Sequence, residues 1–438
     1  MSLFVYNLFI LLYSFGARII SPWNPKAKLW LQGRKGLFNK LAQQIRDRAG
    51  FSTPDSPLVW IHCASLGEFE QGRPVIEGLK NEYPSLRVLI TFFSPSGYEI
   101  RKNYSGADFI CYLPVDTRQN AKKFLDLVKP DLVLWVKYEY WFYFLHEIKK
   151  RDIPLLLVSG LFRKDQAFFK WYGKLHRRML SFFQHLFVQG QSSANLLKTV
   201  GQIAPVTVNG DTRFDRVTTI ANSFAPIPEI AAFCETYPVI VAGSTWQEDE
   251  EELDHYANTH PGLRFIIAPH EIDEAHLRST ETLFKHTVRF SKWKKAYSNS
   301  TIITSAKPPN VLIIDNIGML SKLYHYATIT YVGGGFGNDG IHNILEAAVY
   351  GKPVFFGPVF DKFSEAIDLL ECGGAYTVEN ALELEKTMNE LLENQDEYRQ
   401  ACTAAFNYTS QNRGATQMIL DYIKNNKLIE IPQNQKHS

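Results

Sequence analysis

The chain has 438 residues, 45% of them apolar and 21% charged, and its 47 Lys and Arg nearly balance 45 Asp and Glu. That length holds two or three domains at about 150 residues each, and the composition excludes a disordered chain, a collagen and a polytopic membrane protein. A formal charge of +2 supplies no whole-molecule attraction for nucleic acid, so no nucleic-acid partner is expected.

From Leu3 to Ile20 the sequence is almost wholly apolar, and Lys26, Lys28, Arg34, Lys35, Lys40 and Arg46 follow before the first acidic residue, Asp47. At about 1.5 Å per residue, such a helix barely spans a hydrocarbon core of about 30 Å, so it either crosses a membrane or lies in its interface. A secretory signal carries its basic residues before the apolar run. Here they follow it, which keeps the body of the protein on the cytoplasmic side. The basic stretch favours anionic headgroups or a phosphorylated lipid, at about 1 kcal/mol per residue near the surface. The five cysteines lack any CxxC or Cys/His ligand spacing, which fits a reducing compartment and small buried apolar residues.

Past residue 55 a short β-rich run, a loop and a longer helical pattern alternate, which predicts an α/β fold with parallel sheets. The first series of predicted strands is Leu58–Cys63, Val88–Phe93, Phe109–Leu113, Leu132–Val136, Leu155–Val158, His185–Val188 and Val206–Asn209. Prolines at 226 and 228 interrupt helix propagation, and a second series follows: Val239–Ala242, Arg264–Ala268, Val311–Ile314, Thr328–Val332 and Pro353–Phe356. The division expected is a membrane anchor helix over 1–25, Rossmann-like domains over 26–228 and 229–431, and a polar tail over 432–438. Two such domains imply a ligand cleft between facing sheet edges.

Glu68 sits where the strand Leu58–Cys63 passes through Ala64-Ser65-Leu66-Gly67 into a helix. A carboxylate there suits a general base, while Ser65-x-x-Glu68 is equally the pattern of a capping box. Arg213, within Gly210–Asp215, is placed to reach a phosphate or carboxylate across the cleft, or to pair with Asp211 or Asp215. The acid-rich stretch after Trp246 reads as a solvated first helical turn matched to its dipole. Ala268-Pro269-His270-Glu271 ends a strand where a planar base would rest. The run Gly333–Gly340 leads into His342-Asn343-Ile344-Leu345-Glu346, whose glycine amides and helix start favour a phosphate. Spacing sets His342, Asn343 and Glu346 along one helical face, with the carboxylate able to accept both ribose hydroxyls. Gly335-x-Gly337-x-x-Gly340 with Asp361 also satisfies the dinucleotide fingerprint, which keeps an NAD-dependent oxidoreductase as a rival. No metal-site, Walker or nucleophile-elbow signature is present, so no metal or cofactor is expected.

In order along nearly the whole chain, the apolar leader with Gly33-Arg34-Lys35, Ser65-x-Gly67-Glu68, Glu139-x-Trp141, Gly210–Asp215, Gly243-Ser244-Thr245 and Gly333-Gly334 through Asn343-x-Leu345-Glu346 resemble the 3-deoxy-D-manno-octulosonic acid (Kdo) transferases. That resemblance implies the GT-B fold, two Rossmann-like domains facing across a cleft with an N-terminal membrane-associated helix, at the cytoplasmic face of a Gram-negative inner membrane. It implies transfer of Kdo from CMP-Kdo to a phosphorylated lipid A precursor with inversion, Glu68 matching the general base. CMP contacts fall on Pro269, His270, Ile317, Gly318, Met319, Asn343, Ile344, Leu345 and Glu346, and Arg213 matches a basic residue, usually Lys, credited with transition-state stabilisation. Lys137 stands where the family commonly has a carboxylate credited with that role, and His270 where Arg is often found. A UDP-sugar transferase or epimerase of the same fold is the nearer alternative. A two-lobed sugar-binding protein, which needs no base, is the further one.

Overall fold

The computed structural model describes residues 2–48, 56–137, 139–201, 203–299, 308–338 and 340–430; the polar tail expected over 432–438 lies outside them. Contacts divide the chain into two units, one running to Arg216 and resuming at Arg413, the other Val217–Asn412. The helix Thr212–Asn222 passes from the first to the second, so the division falls before the prolines at 226 and 228. The residues after Arg413 return to the first unit. The helix Ala415–Asn425 buries Ile419, Leu420 and Ile423 with Val75, Ile76 and Leu79 of the helix Leu66–Glu82. Its start is pinned by Asp215, which accepts from the amides of Gly414 and Thr416.

The first unit holds seven parallel strands: β1 (Leu58–Cys63), β2 (Arg87–Phe92), β3 (Phe109–Tyr112), β4 (Leu132–Val136), β5 (Leu155–Gly160), β6 (His185–Val188) and β7 (Val206–Val208), in the order β3-β2-β1-β4-β5-β6-β7. The second unit holds β8 (Val239–Thr245), β9 (Arg264–Pro269), β10 (Thr287–Arg289), β11 (Val311–Ile313), β12 (Ile329–Val332), β13 (Val354–Phe356) and β14 (Ala375–Thr377), also parallel, in the order β10-β11-β9-β8-β12-β13-β14. The inner strands are almost wholly buried; β1, β4 and β9 expose no residue. Helices therefore cover both faces, which is why these strands read as unbroken apolar runs. Strand order reverses between β1 and β4 in one sheet and between β8 and β12 in the other. The crevices of open α/β sheets form at such reversals, beyond the carboxyl ends of the strands.

The helix Leu3–Ile20 lies along the first unit, long and apolar enough to cross a membrane. Tyr6 and Ile10 are buried, whereas Phe4, Leu8, Leu11 and Phe15 are exposed, Phe4 to 76%. The Tyr6 hydroxyl donates to the buried Asp116 carboxylate and accepts from the Phe142 amide at 3.1 Å. Further along, Tyr13 packs edge-on against Trp30, with centroids 5.6 Å apart.

Asp116 also accepts from the amides of Tyr143 and Phe144, each at 3.0 Å. Burial holds its carboxyl up at about 6, against these hydrogen bonds, which lower it. The native state thus binds this proton more tightly than the unfolded chain. Its contribution to stability is present at low pH and falls by roughly 3 kcal/mol as pH rises from about 4 to about 6. Urea titrations across that window should show the decline, and Asp116→Asn should flatten it.

Of the five cysteines, Cys63, Cys111 and Cys234 are buried as expected, but Cys372 is exposed; all five are free.

Candidate functional site

Each reversal point carries its own cluster of polar side chains. In the first unit, β1 runs through Ala64 into the helix Leu66–Glu82, with Ser65 in extended backbone at its N-cap. Glu68 is the third residue of that helix. Its Oε2 accepts from the Ser65 amide at 3.0 Å and from the Ser65 hydroxyl, so the capping reading of Ser65-x-x-Glu68 is realised. The side chain is only half-buried, and among the described residues no hydrogen bond occupies Oε1. Capping therefore orients the carboxylate without consuming it. A Cβ on Gly67 would meet only the Ser65 hydroxyl, at an ordinary contact distance of 3.8 Å.

Arg213 stays within this unit. Its Nε and terminal nitrogen lie 2.9 and 2.8 Å from Asp211 Oδ2, and its amide donates to Asp211 Oδ1. The pairing expected with Asp211 forms, and Asp215 accepts from the start of the C-terminal helix. Asp211 also receives Gln189 at 2.8 Å and, more weakly, Gln71, one turn beyond Glu68. Between the two sits the loop after β4. There Lys137 adopts φ +60°, Tyr138 lies outside the described residues, and Glu139 accepts from the Trp141 indole at 3.0 Å.

In the second unit, β8 ends at Thr245, and Trp246 opens the helix Gln247–Thr259. The acids of its first turn are not all solvated as expected: Asp249 and Glu250 are fully buried. Asp249 accepts from the amides of Trp246 and Gly334 at 2.9 and 2.8 Å and from the Tyr331 hydroxyl at 2.8 Å. Glu250 accepts from Thr245 and Thr280, each at 2.8 Å, with His276 at 3.2 Å. Asp249 thereby ties the glycine run to the start of this helix.

That run does two things, and neither is the opening of a helix. A Cβ on Gly333 would meet the Ser244 carbonyl oxygen at 2.4 Å, and one on Gly335 the Gly357 amide nitrogen at 2.5 Å, so these glycines let backbones touch. The amides of Gly333, Gly334, Gly337, Ile341 and His342 donate within the protein, which overturns their expected convergence on a phosphate. The following helix begins only at Leu345 and spans four residues. The dinucleotide fingerprint, which requires glycines at a helix start, therefore fails, and with it the oxidoreductase reading.

His342 is likewise outside the helix, which corrects its place on a face shared with Asn343 and Glu346. Asn343 does reach Glu346, donating to Oε1 at 3.1 Å, and its own Oδ1 accepts from the Leu345 amide at 3.3 Å. Ile344 and Leu345 are fully buried, so they present no surface to a ligand and instead pack beneath Asn343 and Glu346. Ile317 is the opposite case, 86% exposed beyond β11, followed by Gly318 at φ +95° and Met319 at the next helix start. Pro269 is buried at the end of β9, and His270 is exposed.

One grouping escaped the sequence. The rings of Trp246, His270 and His342 stack, His270 lying 4.6 Å from Trp246 and 4.4 Å from His342, with interplanar angles of 27° and 21°. The Trp246 indole donates to His342 Nε2 at 3.0 Å. Because an indole only donates, His342 Nε2 is the acceptor in this bond. With Glu248, Gly334, Gly337, Asn338 and Gly340, the three rings line a pocket of about 330 Å³. Such a platform takes a flat or ring-shaped guest against its faces.

A family model described as 3-deoxy-D-manno-octulosonic-acid transferase (kdotransferase) matches residues 43–216. Over 341 residues the chain is 30% identical to the 3-deoxy-D-manno-octulosonic acid transferase of Aquifex aeolicus, covering 76% of this chain and 86% of that one. With its namesake from Haemophilus influenzae it shares 25% identity over 398 residues, 87% and 91% of the two chains. The solved UDP-GlcNAc 2-epimerase of Neisseria meningitidis superimposes with a TM-score of 0.58 at 18% identity, over 84% of this chain and 100% of that one. The last is a likeness of fold alone, that of two Rossmann-like units in the GT-B class.

Proposed function

Because the chain belongs to the Kdo transferase family of lipopolysaccharide glycosyltransferases, we propose that it transfers Kdo from CMP-Kdo to a phosphorylated lipid A precursor (lipid IVA). The displacement is single, inverting and metal-independent. The observation that carries this reading is Glu68, a carboxylate at the first sheet's reversal point with one oxygen anchored by Ser65. Its other oxygen takes the proton of the acceptor hydroxyl as that oxygen attacks the anomeric carbon and CMP departs from the opposite face. Arg213, fixed by Asp211, supplies positive charge at the same sheet edge for the negative charge that develops in the transition state.

The second unit binds the donor. Glu346, oriented by Asn343, accepts the ribose hydroxyls. Pro269, His270, Ile317, Gly318 and Met319 flank the nucleotide, and the buried Ile344 and Leu345 anchor the segment that carries Asn343 and Glu346. The helix Leu3–Ile20 rests by one face on the first unit while its other face is apolar and exposed. That arrangement supports an element lying in the membrane interface, with the basic leader towards anionic headgroups on the cytoplasmic side of the inner membrane.

The test is incubation of the purified full-length chain with tetraacylated lipid A precursor and freshly generated CMP-Kdo, read by mass spectrometry of the lipid. The expected product is heavier by one or more Kdo units. Consumption of a UDP-sugar in its place would move the chain to the epimerase and hexosaminyl transferase side of the fold.

A further inference from the structure

The first sheet's reversal point holds a second carboxylate. Glu139 follows β4 as Glu68 follows β1, and the two strands are hydrogen-bonded neighbours, His62 of one in register with Trp135 of the other. The Glu139 side chain is 28% exposed. The Trp141 indole donates to its Oε2, and the Trp135 indole to its backbone carbonyl.

Directly behind it lies His62, fully buried in β1, its ring resting on Trp135 with centroids 4.3 Å apart. Nδ1 is 2.9 Å from the Thr91 hydroxyl. Among the described residues Nε2 has no hydrogen-bond partner, and it faces Glu139 Oε2 at 3.8 Å. The tautomer follows from the donor inventory. Thr91 accepts the Trp60 indole N–H at 2.9 Å and can donate its own proton to His62 Nδ1, and the carboxylate beyond Nε2 selects that direction. The ring proton then sits on Nε2, towards the carboxylate; the other tautomer would set a bare lone pair against an anion. A separation of 3.8 Å is too long for a hydrogen bond, yet a buried N–H without one is costly. Movement of about 1 Å in the partly exposed Glu139 closes the gap, and hydrogen bonds at such sites commonly tighten only when substrate is bound.

We propose that Glu139 binds the acceptor sugar through a hydroxyl or amide N–H, and that His62 is the positioning residue that draws Oε2 inward so that Oε1 faces this donor. An ionised carboxylate only accepts hydrogen bonds and repels phosphate, so the group it holds is a neutral donor of the sugar. This inference rests on the functional reading above.

The test measures acceptor KM and kcat separately, with the full-length chain, lipid A precursor and CMP-Kdo. Glu139→Gln is expected to raise acceptor KM by about tenfold or more. His62→Asn, which keeps a partner for Thr91 but loses the outer N–H, should do the same. His62→Gln, which returns an amide N–H to the position of Nε2, should restore KM to within about threefold. The double variant His62→Asn/Glu139→Gln should be no worse than Glu139→Gln alone, because the two residues act as one device. If His62→Asn does not fold, Trp141→Phe removes the other hydrogen bond to Oε2 and reads the same parameter. An unchanged acceptor KM in Glu139→Gln overturns the proposal, as do independent multiplicative losses in the double variant, or His62 variants that melt earlier with KM unmoved. Glu68→Gln in the same assay separates the two readings. Absence of Kdo transfer by the parent chain sinks the functional assignment itself and full activity of Glu68→Gln sinks the role of Glu68 as base, whereas lost transfer in Glu68→Gln with a normal KM in Glu139→Gln sinks only the role of Glu139 and His62.

Discussion

Glu68→Gln is expected to lose transfer by about 10²–10⁴-fold while melting within a degree or two of the parent and binding cytidine nucleotide with unchanged affinity. Glutamine serves at the third position of a capping box as glutamate does, so its side-chain oxygen still accepts from the Ser65 amide. It has no capacity to take a proton from an attacking hydroxyl. Glu68→Ala should lose the same activity and in addition about 0.5–2 kcal/mol of stability with the cap. The pair therefore separates chemistry from architecture, since a side chain that merely caps the helix would be replaced by glutamine without loss of turnover. Rates should be read under single-turnover conditions, so that product release does not mask the chemical step.

The fold was legible where strands are buried on both faces. Leu58–Cys63, Leu132–Val136 and His185–Val188 fall on the residues their apolar runs predict. The two strands with no predicted counterpart, β10 and β14, are three-residue elements at sheet ends, and their side chains are mostly half-exposed, too short and too mixed to leave a pattern. The Ser65–Glu68 pairing was visible because a capping box is local, four residues long. Asp249 and Glu250 were not, because their burial is decided by Gly334, Tyr331 and Thr280, far along the chain. Within an acid-rich first turn nothing distinguishes them from solvated neighbours. The Trp246, His270 and His342 stack needs the order β9-β8-β12 to bring three loops together. His62 likewise sits in an unbroken apolar strand, and only the register of β1 on β4 sets it behind Glu139.

The second large effect belongs to Asp249, through the architecture of the donor side. Its carboxylate, pushed above the ordinary range by burial, is the acceptor for three donors from three segments: the Trp246 amide, the Gly334 amide and the Tyr331 hydroxyl. Asp249→Ala strands all three, at about 1–3 kcal/mol each, so a loss of at least roughly 3 kcal/mol is expected against a typical domain stability of about 5–15 kcal/mol. Thermal unfolding should show it directly. The glycine run loses its tie to Trp246, whose ring carries one side of the stack, so nucleotide affinity should fall together with stability. Tyr331→Phe removes a single donor and leaves the carboxylate with its two backbone partners, at a cost of about 1 kcal/mol. Combined, Asp249→Ala and Tyr331→Phe should cost less than the sum of the two, because the second change removes a hydroxyl that the first had left unpaired. Strict additivity would mean that this hydroxyl finds water once Asp249 is gone, and that the loop, rather than the tyrosine, bears the loss.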